Sequence, residues 1–186
     1  MSTPIAHPLL CHPAASCPQG LRASASANLT ADGDLALHYE VLGDVNTLLI
    51  PAPQPPGAAD GLWQHTCCEA FVAAVDGVEY HEYNFSPSGQ WAAYRFLAYR
   101  ERDTDYQPSV APTIGFKRLS QGFRLDALIA REFLPAARQF HIGLTAVIEA
   151  AVGGNSYWAL AHCATQPDFH LRQSFSLTLD HPICRP

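Results

Sequence analysis

Positive charge is scarce in this sequence. Of its 186 residues only 11 are Lys or Arg, against 17 Asp or Glu, which gives a formal net charge of -6 at pH 7. A protein that grips nucleic-acid backbones needs a clustered basic footprint, and no basic–aromatic stripe supplies one, so nucleic acid is not an expected partner. Charge of either sign is sparse too, at 15%, while hydrophobic residues reach 48%. That balance is too apolar for a disordered chain and suits a sheet-rich protein better than a surface-charged helical bundle. Long apolar runs are missing as well. None approaches the ~20 residues needed to cross a bilayer, so no membrane partner is expected. The opening Met1-Ser2-Thr3-Pro4-Ile5-Ala6-His7-Pro8 lacks the basic and apolar regions of a secretory signal, which places the expectation in the cytoplasm.

Catalytic signatures are equally thin. There is no Gly-x-Ser-x-Gly elbow, phosphate-cradling glycine loop or dinucleotide fingerprint. The six cysteines do not form a secreted framework. Cys67 and Cys68 are adjacent, and Cys163 and Cys184 lie in apolar surroundings. In a reducing cytosol such residues are small buried hydrophobes, so free thiols are expected, with a Cys11–Cys17 or Cys163–Cys184 bridge as the alternative.

What is present is strand after strand. Residues 1–22, rich in Pro, Ala, Ser and His, read as an N-terminal arm, ordered or loose. Residues 23–186 read as one domain, which this length accommodates with a sizeable core. Leu35 to Leu42 alternates and meets Gly43-Asp44, a strand and a turn, and Asn46 to Ile50 continues it as a short apolar stretch. Pro51 to Gly61 is a connecting loop. Cys67–Val75, Val78–Phe85 and Trp91–Tyr99 form a meander, because Asp76-Gly77 and Ser86-Pro87-Ser88-Gly89 supply turns between apolar runs. Gly122–Ile129, Gln139–Glu149, Ser156–Ala161 and Ser174–Leu179 are further strands. Between Ala127 and Phe140 a short helix or helical turn fits, because Pro135 breaks anything longer. About nine strands without βαβ alternation predict an all-β, antiparallel β-sandwich with at most one or two short helices.

The informative residues concentrate between Trp63 and Arg95. In the strand around Cys67-Cys68-Glu69-Ala70-Phe71, Glu69 shares a face with Cys67, Phe71 and Ala73, while Cys68, Ala70 and Val72 face the other way. A carboxylate in so apolar a strand needs a partner, and Arg95 is the nearest basic residue of the meander. The two form either a structural pair or the polar lining of a ligand groove. The stretch Tyr80 to Phe96 is dense in Tyr, Trp, Asn and Arg. Aromatic faces that pack on a pyranose, with planar amide, carboxylate or guanidinium groups for its hydroxyls, make a sugar-binding kit. Aromatics also dominate ordinary β-cores.

The order Trp63…Cys68-Glu69-Ala70-Phe71, then Tyr83-Asn84-Phe85-Ser86-Pro87-Ser88-Gly89-Gln90-Trp91, resembles the DOMON-like, family-nine carbohydrate-binding modules. It is similar in particular to a bacterial branch of unknown function sometimes fused to UDP-N-acetylenolpyruvoylglucosamine reductase. Tyr157-Trp158-Ala159-Leu160, Pro167-Asp168-Phe169-His170 and the His-Pro-rich arm fit that branch, so the resemblance covers nearly the whole chain. It implies a β-sandwich with a ligand pocket on one face or at one end, in which two tryptophans clamp a terminal sugar. Carried over, Trp63 is the first clamp, Glu69 the carboxylate and Arg95 the guanidinium. Asn84 and Trp91 are neighbours, and Trp158 is the second clamp. A partner enzyme is implied by the fused relatives.

Other chemistries fit less well. Haem, the other ligand of the wider DOMON group, would need paired histidines from His65, His81, His141, His162 or His170, because Met1 is the only methionine and Met/His ligation is thereby excluded. Zinc is disfavoured because adjacent Cys67 and Cys68 point to opposite faces of a strand. Glu69 and Glu82 could form a glycosidase acid and base, and Cys67 or Cys68 could be a nucleophile beside His65 or His81. Neither role is suggested by the resemblance. The expectation is a non-catalytic binding module for a saccharide or sugar-nucleotide-like ligand, without cofactor or metal. The rival is an intracellular protein-interaction domain that has lost the sugar site; haem binding or a small hydrolase stands behind both.

Overall fold

From Leu35 to Leu42, buried and partly exposed side chains alternate without a break, as they must along a strand with one dry face. The computed structural model describes residues 4–181 and extends this pattern to thirteen strands. They are β1 (His7–Cys11), β2 (Arg22–Leu29), β3 (Leu35–Leu42), β4 (Gly57–Ala58), β5 (Cys67–Ala74), β6 (Tyr80–Phe85) and β7 (Gln90–Ala98). Then come β8 (Glu101–Arg102), β9 (Thr113–Leu119), β10 (Gly122–Ile129), β11 (Gln139–Ala150), β12 (Gly154–Ala159) and β13 (Leu177–Asp180). Helical structure among the described residues is limited to three-residue 3-10 turns, one of them at Arg131–Phe133. No helix among these residues is long and apolar enough to cross a membrane.

The strands follow one hydrogen-bonded path, β4-β7-β6-β5-β11-β12-β1-β2-β3-β10-β9, with β8 on β7 and β13 on β11. The path folds into two layers at β1. His7, Pro8 and Leu9 pair with β2, whereas Leu10 and Cys11 pair with β12, so β1 is the corner strand joining the layers. All pairings are antiparallel except that of β4 with β7. Between the layers, Leu37, Tyr39 and Leu125 of the first sheet meet Val72, Leu144 and Trp158 of the second. The Tyr39 hydroxyl, buried in this core, donates to the Glu69 carbonyl at 2.6 Å. A buried phenol needs such a partner, and the bond pins β5 across the sandwich.

The outer face of the second sheet carries a separate apolar cluster that includes Phe71, Tyr80, Tyr94, Phe96 and Phe175. Phe175 belongs to the C-terminal segment after β12, which turns back over this face. Gly143 admits it: a Cβ there would stand 2.9 Å from the Phe175 ring.

The all-β sandwich and the β5–β6–β7 meander agree with expectation. Within the arm, residues 7–11 are a paired strand with Leu9 buried. Strands β2 and β9 were not expected. The stretch from Asn46 is a 3-10 turn followed by an isolated bridge between Leu48 and Ala150. The cysteine reading needs correction: Cys11 and Cys17 are joined in a disulfide, because the loop after β1 returns to its end and brings their Cα atoms to 6.2 Å, within bonding range. Cys67 and Cys68 are free and buried, whereas Cys163 is free and exposed. Cys184 lies outside the described residues.

Candidate functional site

Because one outer face is partly covered, it encloses a cleft. Its cavity is about 740 Å³, within the size range of small-molecule sites, and its lining includes Trp63, Glu69, Glu82, Tyr94, Tyr157 and Phe169. Several pieces of chain build it, the loop after β1 at Ala14, Ala15 and Ser16 among them. The floor is the outer face of β7, β6, β5, β11 and β12. One wall is the 3-10 turn Leu62–Gln64. Gly61 opens that turn in the left-handed conformation, φ 73°, and Trp63 stands at the rim with 51% of its surface exposed. The opposite wall is the segment around Asp168, Phe169 and His170.

That second wall is tied down. Asp168 accepts from the Tyr99 hydroxyl and from Arg100 Nη2 at 2.9 Å. Burial opposes its charge, but these donors hold the Asp168 carboxyl below the usual range. Arg100 has φ 56°, the only positive value among the described non-glycine residues. Such a conformation is strained and persists only where surroundings enforce it. Here the Arg100 side chain is bound by Asp168, and its N–H donates to the Tyr80 hydroxyl at 3.1 Å. His170 Nδ1 shares a hydrogen bond with the same hydroxyl at 2.9 Å, and its ring packs on Phe71 and Phe96. Burial and the Arg100 charge push the His170 pKa down to about 4, so the ring is neutral at physiological pH.

The floor carries two buried carboxyls. Glu69 pairs across the strands with Asn84, and Phe71 with Glu82, so Glu69 and Glu82 are diagonal neighbours on one face. Thr145 Oγ1 donates to Glu69 Oε2 at 3.3 Å. Glu69 Oε1 is buried without a partner among the described residues. Asn84 Nδ2 donates to Glu82 Oε1 at 2.9 Å, leaving Asn84 Oδ1 buried without a donor. Burial, and then the neighbouring Glu82, hold the Glu69 carboxyl well above the ordinary carboxylate range, although Thr145 opposes this. Burial lifts Glu82 to about 7, against the pull of Asn84, Arg100 and Arg102. Near the rim the Tyr94 hydroxyl donates to Asp60, chiefly thereby lowering the Asp60 pKa, and the Arg102 guanidinium lies 4.1 Å from the Tyr94 ring centre.

The six residues singled out from the sequence separate into three groups. Trp63 and Glu69 line the cleft. Asn84 lies on the same face, fully buried, bonded to Glu82. Trp91, Arg95 and Trp158 face the other way. Trp91 and Trp158 are part of the inter-sheet core, where Trp91 packs edge-on against Phe133 and Trp158 donates to Ser156 Oγ at 2.9 Å. Arg95 forms an ion pair with Asp103, not with Glu69. In each case strand alternation is the reason, and the immediate neighbour takes the cleft side: Tyr157 beside Trp158, Tyr94 beside Arg95. Arg100 and Arg102 supply the guanidinium groups. The resemblance does take in Asp168, Phe169 and His170, but only the return of the C-terminal segment puts them here.

In fold this chain is an all-β sandwich with a cleft on one sheet's outer face. Three solved structures share the architecture. A candidate carbohydrate-binding protein from Bacteroides uniformis superposes with TM-score 0.66 at 14% identity, covering 95% of this chain and 86% of that one. A carbohydrate-binding module of family 9 from Caldicellulosiruptor kristjanssonii, solved with glucose, has TM-score 0.55 at 13% identity, over 94% of this chain and 83% of that one. The same family's module with cellotriose matches at TM-score 0.55 and 14% identity, over 94% and 82%. No protein-family model matches the chain, and no curated protein matches it in sequence.

Proposed function

We propose that the cleft binds a saccharide without catalysing a reaction. The observation that carries this reading is the combination, in one cavity, of an exposed tryptophan at the rim and a buried, unpartnered carboxyl oxygen on the floor. An apolar ring can lie on a sugar face, and a sugar hydroxyl, donor and acceptor at once, can partner the orphan oxygen with or without its proton. Neighbours solved with glucose and cellotriose support it. Trp63 and Glu69 keep their assigned roles. Tyr157 and Phe169 take the place of Trp158 as the facing aromatic wall, and Arg102 that of Arg95. The finer reading is a DOMON-like, bacterial, cytoplasmic module acting beside a partner enzyme. The Cys11–Cys17 disulfide is of a kind found mostly in oxidising compartments and weighs against the cytoplasmic part of this reading.

The test is a glycan array followed by titration calorimetry. A mono- or oligosaccharide should bind, and Trp63→Ala should weaken it about tenfold or more, the order of magnitude lost with a buried aromatic anchor. Silence across the array would end the saccharide reading.

A further inference from the structure

The floor of the cleft has more acceptors than donors, and its charges do not balance. Arg100 is neutralised by Asp168. Arg102 acts on Asp60, lowering its pKa as a secondary influence after the Tyr94 hydrogen bond. That leaves Glu69 and Glu82, 2% and 6% exposed, with no cation among the described residues in direct contact other than His170 Nε2 at 3.8 Å from Glu82, and that ring is held neutral. One acceptor atom of a residue lining the cleft, Glu69 Oε1, is buried with nothing among the described residues donating to it. A buried carboxylate without a counterion is unfavourable. A group bringing several donors, no lone pair and a positive charge would satisfy this floor, and an ammonium has that chemistry. A neutral hydroxyl brings one donor and no charge to set against the carboxylates. Trp63 adds an aromatic face of the kind that attracts cations.

We propose that the preferred ligand is an amino sugar, its ammonium received by Glu69 and Glu82. This rests on the saccharide reading of the same cleft and specifies the class of sugar. Binding the cation displaces the proton that the carboxyl pair retains in the empty cleft. The groups facing Glu82 are Glu69 on β5, Tyr94 on β7, Arg100 and Arg102 beyond it, Asp60 before the 3-10 turn, and His170 on the covering segment.

The experiment is calorimetry of the full chain with glucose, N-acetylglucosamine and glucosamine just below neutral pH, repeated in buffers of different ionisation enthalpy. Glucosamine should bind about tenfold or more tightly than either neutral sugar, the gain of one charge-assisted contact, with protons released on binding. Glu82→Gln should bring the glucosamine-to-glucose ratio close to one, its fold being checked by thermal melting. Should that variant fail to fold, the three sugars on the unaltered chain still decide. Equal affinity for glucose and glucosamine would overturn the ammonium site while leaving saccharide binding intact. Failure of all three sugars, together with a silent array, would remove both.

Discussion

The two sheets alternate in the same way along their strands but use their outer faces differently. In β10 the outward residues Arg124, Asp126 and Leu128 are exposed, and Arg124 makes a surface pair with Glu40 of β3. In β5 every residue from Cys67 to Ala73 is buried, because the C-terminal segment covers what would be the solvent side. A one-faced sheet can place charge in water at little expense. A two-faced sheet that nevertheless holds Glu69 and Glu82 keeps them where their charged forms are disfavoured. Buried polar groups that contribute nothing obvious to stability are where function is to be sought.

Substitutions sharpen this contrast. The largest effect belongs to the shared core: Leu125→Ala, on the inner face of the first sheet and fully buried, should lower stability by about 3 kcal/mol in urea unfolding. Next comes the second sheet's outer face. Glu82 has a folded-state pKa of about 7 against an ordinary 4.5, so folding favours its protonated form. Stability should therefore be greatest below pH 4.5 as far as this group is concerned and fall as the pH rises towards about 7. Glu69, shifted in the same direction, adds to that slope. Glu82→Gln should remove its share, about 1–3 kcal/mol at the alkaline end, seen as a flatter curve of melting temperature against pH. A slope unchanged in Glu82→Gln would mean that this carboxyl is not held as the structure places it. The smallest effect is expected on the first sheet's solvent side, where Glu40→Gln should change stability by less than about 0.5 kcal/mol because its partner Arg124 is half exposed.

Much of this layout is legible along the chain. Alternation and turn residues place β3, β5, β6, β7, β10 and β11, whose large apolar side chains contrast with polar neighbours. Strand β2 escapes notice because Arg22-Ala23-Ser24-Ala25-Ser26-Ala27 alternates with small side chains, and burying an alanine leaves little hydrophobic contrast to read. Strand β1 is obscured by its Pro-rich setting, and β9 is a mostly exposed edge. Within the site, alternation correctly groups Glu69 with Phe71, but no local pattern says which face of the second sheet is covered. That depends on Phe169, His170 and Phe175 returning from about a hundred residues away. A step of one residue exchanges the faces of a strand, so Trp158 looks as eligible as Tyr157 until the third dimension is known.

The corner strand has a consequence for how the chain reaches this state. Leu10 pairs with Ala159, a contact that spans most of the described chain, while Leu9 pairs with Ala23 close by. As the polypeptide leaves the ribosome, β1 can zip onto β2 and β3 early, but its other edge must wait until β11 and β12 have been made. Joining the layers is thus a late, non-local event of the kind that slows folding. Until then the half-paired edge of β1 is open to strands from other chains.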